Sequence, residues 1–243
     1  MTKAVNTKKP KSRTKDKVRR NPLRWLVWQG FRALCAVFVL AIVMIILAGV
    51  VNPPTTIYMS QESRRLGGVD YEWVSIDEIA PIMARAVVAA EDANFCQHWG
   101  FDLRAIKTAI AAGGTRGAST ISQQTVKNVF LWHGRNYTRK AMEAFMTPLV
   151  EAVWSKRRIV EVYLNVAEFD EGVFGVEAAA RHYFGVGPEA LTPTQAARLA
   201  AILPSPKTRS ASRPSNSVRR RAAKIIDGAA TIRADGRSAC FES

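Results

Sequence analysis

The chain has 243 residues and a formal charge of +15, which allows one sizeable domain with appendages. An excess of this size first suggests nucleic acid, but residues 1–32 alone hold eleven Lys or Arg against one acid, Asp16, a net charge of +10. The other 211 residues share only +5, so we predict a basic tail and no nucleic-acid binding. Membrane lipid is the expected partner of such a tail, at about 1 kcal/mol per basic residue near an anionic surface.

An apolar run without charges follows, from Ala33 to Val51. At about 1.5 Å per residue, a helix of this length spans roughly 28 Å, close to the hydrocarbon thickness of a bilayer. A cleaved signal peptide is the alternative, but its apolar core is usually shorter and ends in a small-x-small site, which Ala48-Gly49-Val50 matches poorly. We therefore predict an uncleaved transmembrane anchor over residues 33–51.

The position of the basic residues also predicts the topology. Positive charge stays on the cytoplasmic side, so the tail is expected inside and residues 52–243 outside. Of the three cysteines, Cys35 lies in the span, while Cys96 and Cys240 fall in the exported part. These two can pair in an oxidising compartment, but the sequence does not show that they are close, so free thiols are the default expectation.

The exported part is predicted to begin with a connector over 52–75 that lacks a clear period, followed by a domain over 76–243. Pro81 is expected at the first position of an apolar helix that ends at Glu91. A carboxylate at the end of a helix, next to a loop, is a common catalytic arrangement. The alternative is an ordinary helix C-terminus with solvated acids, which has the same sequence pattern.

Capping signals predict the next helices. Asp102 is expected to cap one helix, and Thr120 with Gln123 fits a capping box that opens another. On that second helix Gln123 and Gln124 lie one turn before Lys127, which predicts a face of amides and a cation. The alternative is an ordinary solvated face.

A long helix is expected from a Thr138 cap to about Trp154, with a bend near Pro148. Three charged residues share one of its faces: Arg139, Lys140 and Glu143. An exposed salt bridge, which contributes only about 0–1 kcal/mol, is the alternative interpretation.

The rest of the chain also reads as mainly helical. Further helices are expected over 156–165, 175–184, 193–203 and 216–232, with an acidic loop at 168–172. No alternating-strand pattern is present, and neither an HExxH, a paired CxxC, a GxGxxG nor a Walker loop occurs. Zinc catalysis and nucleotide cofactors are therefore not predicted.

Several motifs together resemble those of the bacterial peptidoglycan glycosyltransferases, in order and approximate spacing. They are Glu91-Asp92-x-x-Phe95-x-x-His98-x-Gly100, Gly117-Ala118-Ser119-Thr120-Ile121-x-Gln123-Gln124-x-x-Lys127-Asn128, Arg139-Lys140-x-x-Glu143, Lys156-Arg157-Arg158-Ile159-x-Glu161-x-Tyr163-Leu164-Asn165 and Ala200-Ala201-Ile202-Leu203-Pro204. The resemblance covers about residues 70–210 and is closest to the monofunctional members, which have no penicillin-binding domain. It implies a mainly α, lysozyme-like, two-lobed glycosyltransferase domain behind one transmembrane helix.

The resemblance implies polymerisation of lipid II into β-1,4-linked glycan, with inversion and release of undecaprenyl pyrophosphate. Glu91 is then the general base and Glu143 a second essential carboxylate, while Asp92, His98 and Asn128 have structural roles. Residues expected to bind the diphosphate or sugar oxygens are Ser119, Gln123, Gln124, Lys127, Arg135, Arg139 and Lys140. No cofactor is required by the sequence, but Glu143 is a candidate contact for a divalent cation, Mg or Mn.

The same resemblance places the protein in the bacterial inner membrane as a single-pass protein with a periplasmic catalytic domain. Lipid II, the lipid-linked glycan chain and other cell-wall synthesis proteins are its implied partners. Two alternatives stay open: a lysozyme-like or lytic enzyme that cleaves glycan, and a membrane scaffold without catalysis. A cleaving enzyme needs a protonated carboxylic acid but no cluster of cations for a diphosphate.

Overall fold

A computed structural model describes residues 22–113, 117–134 and 136–242. It divides into two compact units, which meet in sequence between Ile42 and Val43. The first unit consists of the leading part of helix α1 (Pro22–Val50). By length and composition, Leu23–Val50 can cross a membrane, and only 6% of its most apolar window is buried. A core helix of a soluble protein would be mostly buried, so the exposed apolar surface supports the predicted anchor.

Helix α1 is longer than the predicted span of residues 33–51, because it also takes in residues from Pro22 onward. These carry a second apolar stretch with Trp25 and Trp28, so the helix continues into part of the predicted basic tail. Residues 1–21 of that tail lie outside the described residues.

Ten further helices are described in the second unit, which confirms the mainly α prediction. They are α2 (Ile57–Leu66), α3 (Pro81–Glu91), α4 (Leu103–Ala111), α5 (Ile121–Phe130), α6 (Tyr137–Val153), α7 (Lys156–Val166), α8 (Gly175–Phe184), α9 (Pro193–Ile202), α10 (Asn216–Ala234) and α11 (Ala239–Glu242). The predicted cap at Asp102 and the predicted capping box at Thr120 are confirmed.

Two helix predictions were wrong. Helix α2 lies inside the predicted irregular connector, where Thr56 caps it and Tyr58 and Met59 are buried in the core. Its face is apolar at few positions, so no period stood out in the sequence. The long helix α6 is capped by Asn136 rather than Thr138: Asn136 Oδ1 accepts the backbone N–H of Thr138 at 2.7 Å.

The predicted acidic loop is part of a small sheet, which corrects that expectation. Strands β1 (Asp70–Tyr71), β2 (Glu168–Asp170) and β3 (Val173–Phe174) pair in the order β1-β3-β2, with β1 parallel and β2 antiparallel to β3. Strands of two or three residues are too short for an alternating pattern to be recognised.

Two helix groups position the site described below. Helix α3 packs against α9 and α10, and α5 packs against α6 and α7. Their shared core contains large side chains with almost no exposed surface: Phe95, Ile121, Ile159, Tyr163, Phe169 and Phe174. This burial holds the C-terminus of α3 and the N-terminus of α5 in fixed positions.

The last turns of α1, from Val43 onward, belong to the second unit and pack against other residues of that unit. Trp154 Nε1 donates to the carbonyl of Ile45 at 2.7 Å, and Arg158 Nη2 donates to the carbonyls of Ala48 and Val51 at 3.1 Å each. A cation on the final carbonyls of a helix satisfies groups that have no partner within the helix and interacts favourably with its dipole.

The default expectation of free thiols was wrong for two of the three cysteines. Cys96, in a 3-10 turn just after α3, forms a disulfide with Cys240 in α11, with Cα atoms 5.7 Å apart. The bond joins positions 144 residues apart, a separation at which sequence alone shows no proximity. It ties the C-terminal helix to the loop that follows Glu91.

We expect the double variant Cys96→Ser, Cys240→Ser to lose about 2–4 kcal/mol of unfolding free energy, because the disulfide restricts the unfolded chain. Urea unfolding of the full chain in detergent measures this, with Cys35→Ser as the matched control. Equal urea midpoints for wild type and double variant would contradict the prediction.

Candidate active site

The site begins with Glu91, the last residue of α3. Its Oε2 accepts a hydrogen bond from Gln124 Nε2 at 3.1 Å, and its Oε1 lies 3.3 Å from Arg221 Nη2. The Glu91 side chain is 14% exposed, so the carboxylate is largely enclosed yet still open to solvent on one side. A carboxylate held on both oxygens and reachable from outside is suited to accept a proton from a bound hydroxyl.

The neighbouring acid, Asp92, has a structural position. Its Oδ2 accepts the backbone N–H of Ile121 at 3.0 Å, the first residue of α5, and its Oδ1 accepts from His98 Nε2 at 2.8 Å. An anionic side chain at a helix N-terminus satisfies a free N–H and interacts favourably with the helix dipole. Asp92 therefore fixes the end of α3 against the start of α5, in agreement with the structural role predicted for Asp92 and His98.

Gly100 closes the loop, and only glycine fits there. Its φ of +82° lies in the left-handed region, and a Cβ on this residue would come within 2.6 Å of Thr147 Cγ2. Its carbonyl accepts a hydrogen bond from the Thr120 hydroxyl at 2.7 Å. This close approach brings the loop against α5 and α6.

A cluster of charged residues lies on α6. Glu143 is buried, and its two oxygens accept from Arg139 Nη1 at 3.1 Å and from the ammonium of Lys140. Lys140 Nζ also donates to Ser119 Oγ at 3.2 Å. The predicted alternative of an exposed salt bridge does not describe this arrangement, because the Glu143 side chain is only 4% exposed.

Lys127 on α5 interacts electrostatically with both this cluster and Glu91. Burial lowers the pKa of Lys127, and Arg139 and Lys140 act in the same direction, while the charges of Glu143 and Glu91 oppose the shift. Its ammonium therefore interacts electrostatically with both carboxylates. Within residues 22–113, 117–134 and 136–242, this ammonium has no hydrogen-bond or ion-pair partner. Lys127 is half-buried, and a partly desolvated cation without a partner among these residues is well suited to receive an anionic ligand.

The remaining predicted site residues differ in their surroundings. Gln123 is buried, and its Oε1 accepts the backbone N–H of Thr120 at 3.0 Å within the capping box. This geometry supports a structural role, and substrate binding by Gln123 stays a prediction. Gln124 contacts Glu91 directly, as described above. Arg135 lies outside the described residues.

Comparisons with known proteins agree with this site. A family model described as Transglycosylase matches residues 59–230. A biosynthetic peptidoglycan transglycosylase of Jannaschia sp. (strain CCS1) is 60% identical over 218 residues, 90% of each chain. Proteins of the same name from Caulobacter vibrioides and Pseudomonas fluorescens (strain SBW25) are 46% identical, over 82% and 87% of this chain and 89% and 92% of their own.

The chain belongs to the transglycosylase family. The family resemblance drawn from the five motifs is thereby confirmed, together with the mainly helical fold that it implied.

Two contacts at the site of this transglycosylase were not predicted from the sequence, although one of the residues, Tyr163, is part of the fourth motif. Arg221 lies on α10, 130 residues after Glu91, and the sequence marked that helix only as basic. Tyr163, on α7, donates its hydroxyl hydrogen to Gln124 Oε1 at 3.2 Å. Neither contact has a local signal, because each depends on the packing of helices that are distant in sequence.

The surroundings of Glu143 do not fit a divalent cation held by the protein. Both carboxylate oxygens are engaged by Arg139 and Lys140, and Lys127 adds a third positive charge nearby. No group of three or more His, Cys, Asp or Glu suited to a metal occurs in the part of the chain that the structure describes. Since the donors are cationic, we derive no step through Mg or Mn.

The pKa of His133 is lowered by burial and by the cations of this transglycosylase site. His133 follows α5, and its ring stacks on Tyr58 with centroids 3.7 Å apart. Although the residue is exposed, one ring face is covered, and this burial lowers the pKa of His133 to about 4. Nearby charges add to the shift, those of Lys127, Lys207 and Arg139 lowering the pKa and that of Glu62 raising it.

We expect the stability contributed by His133 to fall as pH drops from about 6.5 towards 4. The unfolded chain binds a proton on this histidine more readily than the folded one, so acid favours unfolding in that window. Urea unfolding at several pH values gives the free energy of unfolding of wild type and of His133→Gln. The difference between these two free energies should shrink as the pH is lowered. His182→Gln is the control, and a difference that is constant with pH contradicts the prediction.

Proposed function

We propose that this chain polymerises lipid II into β-1,4-linked glycan strands and releases undecaprenyl pyrophosphate, with Glu91 as the general base. The observation that carries the proposal is the enclosed carboxylate of Glu91 together with the Glu143 cluster and the half-buried Lys127, which has no hydrogen-bond or ion-pair partner among the described residues. The curated relatives, named biosynthetic peptidoglycan transglycosylases, support the same reaction.

The chemistry requires one proton transfer and one displacement. The 4-hydroxyl oxygen of the acceptor sugar attacks the anomeric carbon of the lipid-linked chain, and its proton passes to the Glu91 carboxylate. The bond from the anomeric carbon to the diphosphate oxygen breaks, and its electron pair leaves on the diphosphate. A positioned general base of this kind contributes about 10²–10⁴-fold to the rate.

Cations are needed where the negative charge of the leaving group develops. Lys127, Arg139 and Lys140 are the described candidates, and Arg135 is a fourth from the sequence alone. Lys127 is desolvated, which strengthens its interaction with a diphosphate oxygen, and its donors are not taken up by the described protein groups. Ser119, which hydrogen bonds to Lys140, adds a hydroxyl beside this group.

Glu143 holds these cations in place in the proposed mechanism. It accepts hydrogen bonds from Arg139 and Lys140 while buried. Removing its charge leaves two cations without their common partner, which costs more than the loss of an exposed ion pair. Its role is therefore to orient charge on the leaving-group side rather than to accept the proton.

We expect Glu91→Gln to reduce polymerisation of labelled lipid II by at least about 100-fold, because an amide cannot accept the proton. The full chain in detergent is incubated with lipid II and the products are sized by gel. Glu189→Gln is the matched control, since Glu189 is an exposed acid beside the N-terminal end of α3.

Retention of more than about a tenth of wild-type activity by Glu91→Gln would rule out the general-base role. The same gel separates the two alternative functions. Shortening of finished glycan without growth on lipid II indicates a cleaving enzyme, and a wild-type protein that binds lipid II without any product indicates a scaffold.

The proposed location is the inner membrane, with the tail in the cytoplasm and the catalytic domain outside. The exposed apolar α1 and the basic residues before it support this topology. The Cys96–Cys240 disulfide supports it as well, since such bonds persist in oxidising compartments. Both substrates are lipid-linked, so an anchored domain meets them at a raised effective concentration.

We expect protease added to spheroplasts to digest the domain from residue 52 onward while an N-terminal tag stays protected. Lysed spheroplasts, in which the tag becomes accessible, are the control. Digestion of the tag in intact spheroplasts would show the opposite orientation.

A further inference from the structure

Tyr163 is a buried residue that the proposed mechanism has not used. It lies on α7 with 1% of its surface exposed, and its hydroxyl donates to Gln124 Oε1 at 3.2 Å. Gln124 Nε2 in turn donates to Glu91 Oε2 at 3.1 Å. The three side chains form a continuous hydrogen-bond path from the protein core to the carboxylate.

The direction of this path is determined by chemistry. An ionised carboxylate only accepts hydrogen bonds, so Gln124 must present its NH₂ group to Glu91 and its carbonyl oxygen to Tyr163. Tyr163 is then required to donate. Burial raises the pKa of the Tyr163 hydroxyl well above its usual value, and the negative charge of Glu91 adds to the shift. The hydroxyl therefore keeps its proton at neutral pH and can donate to Gln124.

A glutamine alone is a poor support for a catalytic group, because its amide can rotate and flip. The phenol of Tyr163 cannot move in the same way, since it is packed in the interface of α5 and α7. Its hydrogen bond selects one amide orientation and polarises the N–H that faces Glu91. The other carboxylate oxygen faces Arg221, so the path supplies the second of two supports on opposite oxygens.

We propose that Tyr163 is a positioning residue for the transferase reaction, which acts through Gln124 to set the orientation and proton affinity of Glu91. This inference rests on the proposed role of Glu91 as the base. It also gives Gln124 a function in holding the base, in addition to the substrate contact predicted from the sequence.

The test compares Tyr163→Phe with Tyr183→Phe in the full chain. Tyr183 is the matched control because its buried hydroxyl also donates, to Phe169 O at 3.1 Å and Asp170 Oδ2 at 2.9 Å, and has no hydrogen bond to Glu91 or Gln124. Each variant therefore loses one buried hydroxyl, so a general loss of stability should be similar in both.

We expect Tyr163→Phe to lower kcat for lipid II polymerisation about tenfold with little change in KM, as for loss of one buried hydrogen bond. The acidic limb of its pH–rate profile should move to higher pH by about half a unit, because the carboxylate loses support for its charged form. Tyr183→Phe should keep the wild-type kcat and pH profile.

A double-mutant cycle with Gln124→Met identifies the route of the effect. If Tyr163 acts through Gln124, adding Tyr163→Phe to Gln124→Met should cause little further loss. Additive losses, or a Tyr163→Phe variant that matches Tyr183→Phe in kcat and pH profile, would overturn the inference. Failure of the underlying function is distinguishable, because it shows as activity retained by Glu91→Gln.

Discussion

The junction between α3 and α5 is the constraint on which the site depends. Asp92 accepts the first backbone N–H of α5, and the next residue back along the chain, Glu91, accepts the side-chain amide of Gln124 from the same helix. Two adjacent carboxylates thus bind one helix at its N-terminus and one turn later. Because these bonds are enclosed, breaking either leaves one carboxylate oxygen without its donor, which costs more than the loss of an exposed contact. The position of Glu91 is therefore a consequence of how two helices are joined.

Helix α5 also explains how opposite charges share a small region. Its buried face packs between α6 and α7, while Gln124 and Lys127 lie one turn apart on a side directed at the charged residues. Lys127 is affected by Glu91 on one side and by Glu143, Arg139 and Lys140 on the other. Desolvating a cation is unfavourable in the free protein, and an anionic ligand at Lys127 would relieve that cost. A site with this excess of positive charge favours an anionic ligand.

How much of this could be predicted from the sequence depended on the distance over which each signal acts. The helix ending at Glu91 and the Thr120–Gln123 capping box are local, and both were predicted correctly. Tyr163 contacts Gln124, which lies 39 residues earlier in the chain, and Arg221 contacts Glu91, which lies 130 residues earlier. Only the packing of the helices reveals these contacts. The wrong cap of α6 has a local cause. Asn136 and Thr138 lie two residues apart, and the side chain of either can cap a helix that begins here.

Nonlocal pairing explains the other errors. The Cys96–Cys240 bond joins residues 144 positions apart, and the strands are too short to show a period. The contact of Gln124 with Glu91 is nonlocal in the same way. From its position beside Gln123 and Lys127 it was expected to bind substrate, and nothing in that spacing indicated that the end of another helix would face it. The motif residues were recognisable by type and spacing, but their contacts with distant helices were not, because such contacts depend on packing.

The attachment of α1 completes the relation between the site and its lipid-linked substrates. Here the carbonyls at the end of α1 are held by Trp154 and Arg158, and Arg158 also lies over the ring of Trp73 at 5.1 Å. Trp154 ends α6, the helix that carries Glu143, and Arg158 lies on α7 five residues before Tyr163. The carbonyls of Ile45, Ala48 and Val51 are thus bonded to side chains at the end of α6 and on α7, the helices that carry Glu143 and Tyr163.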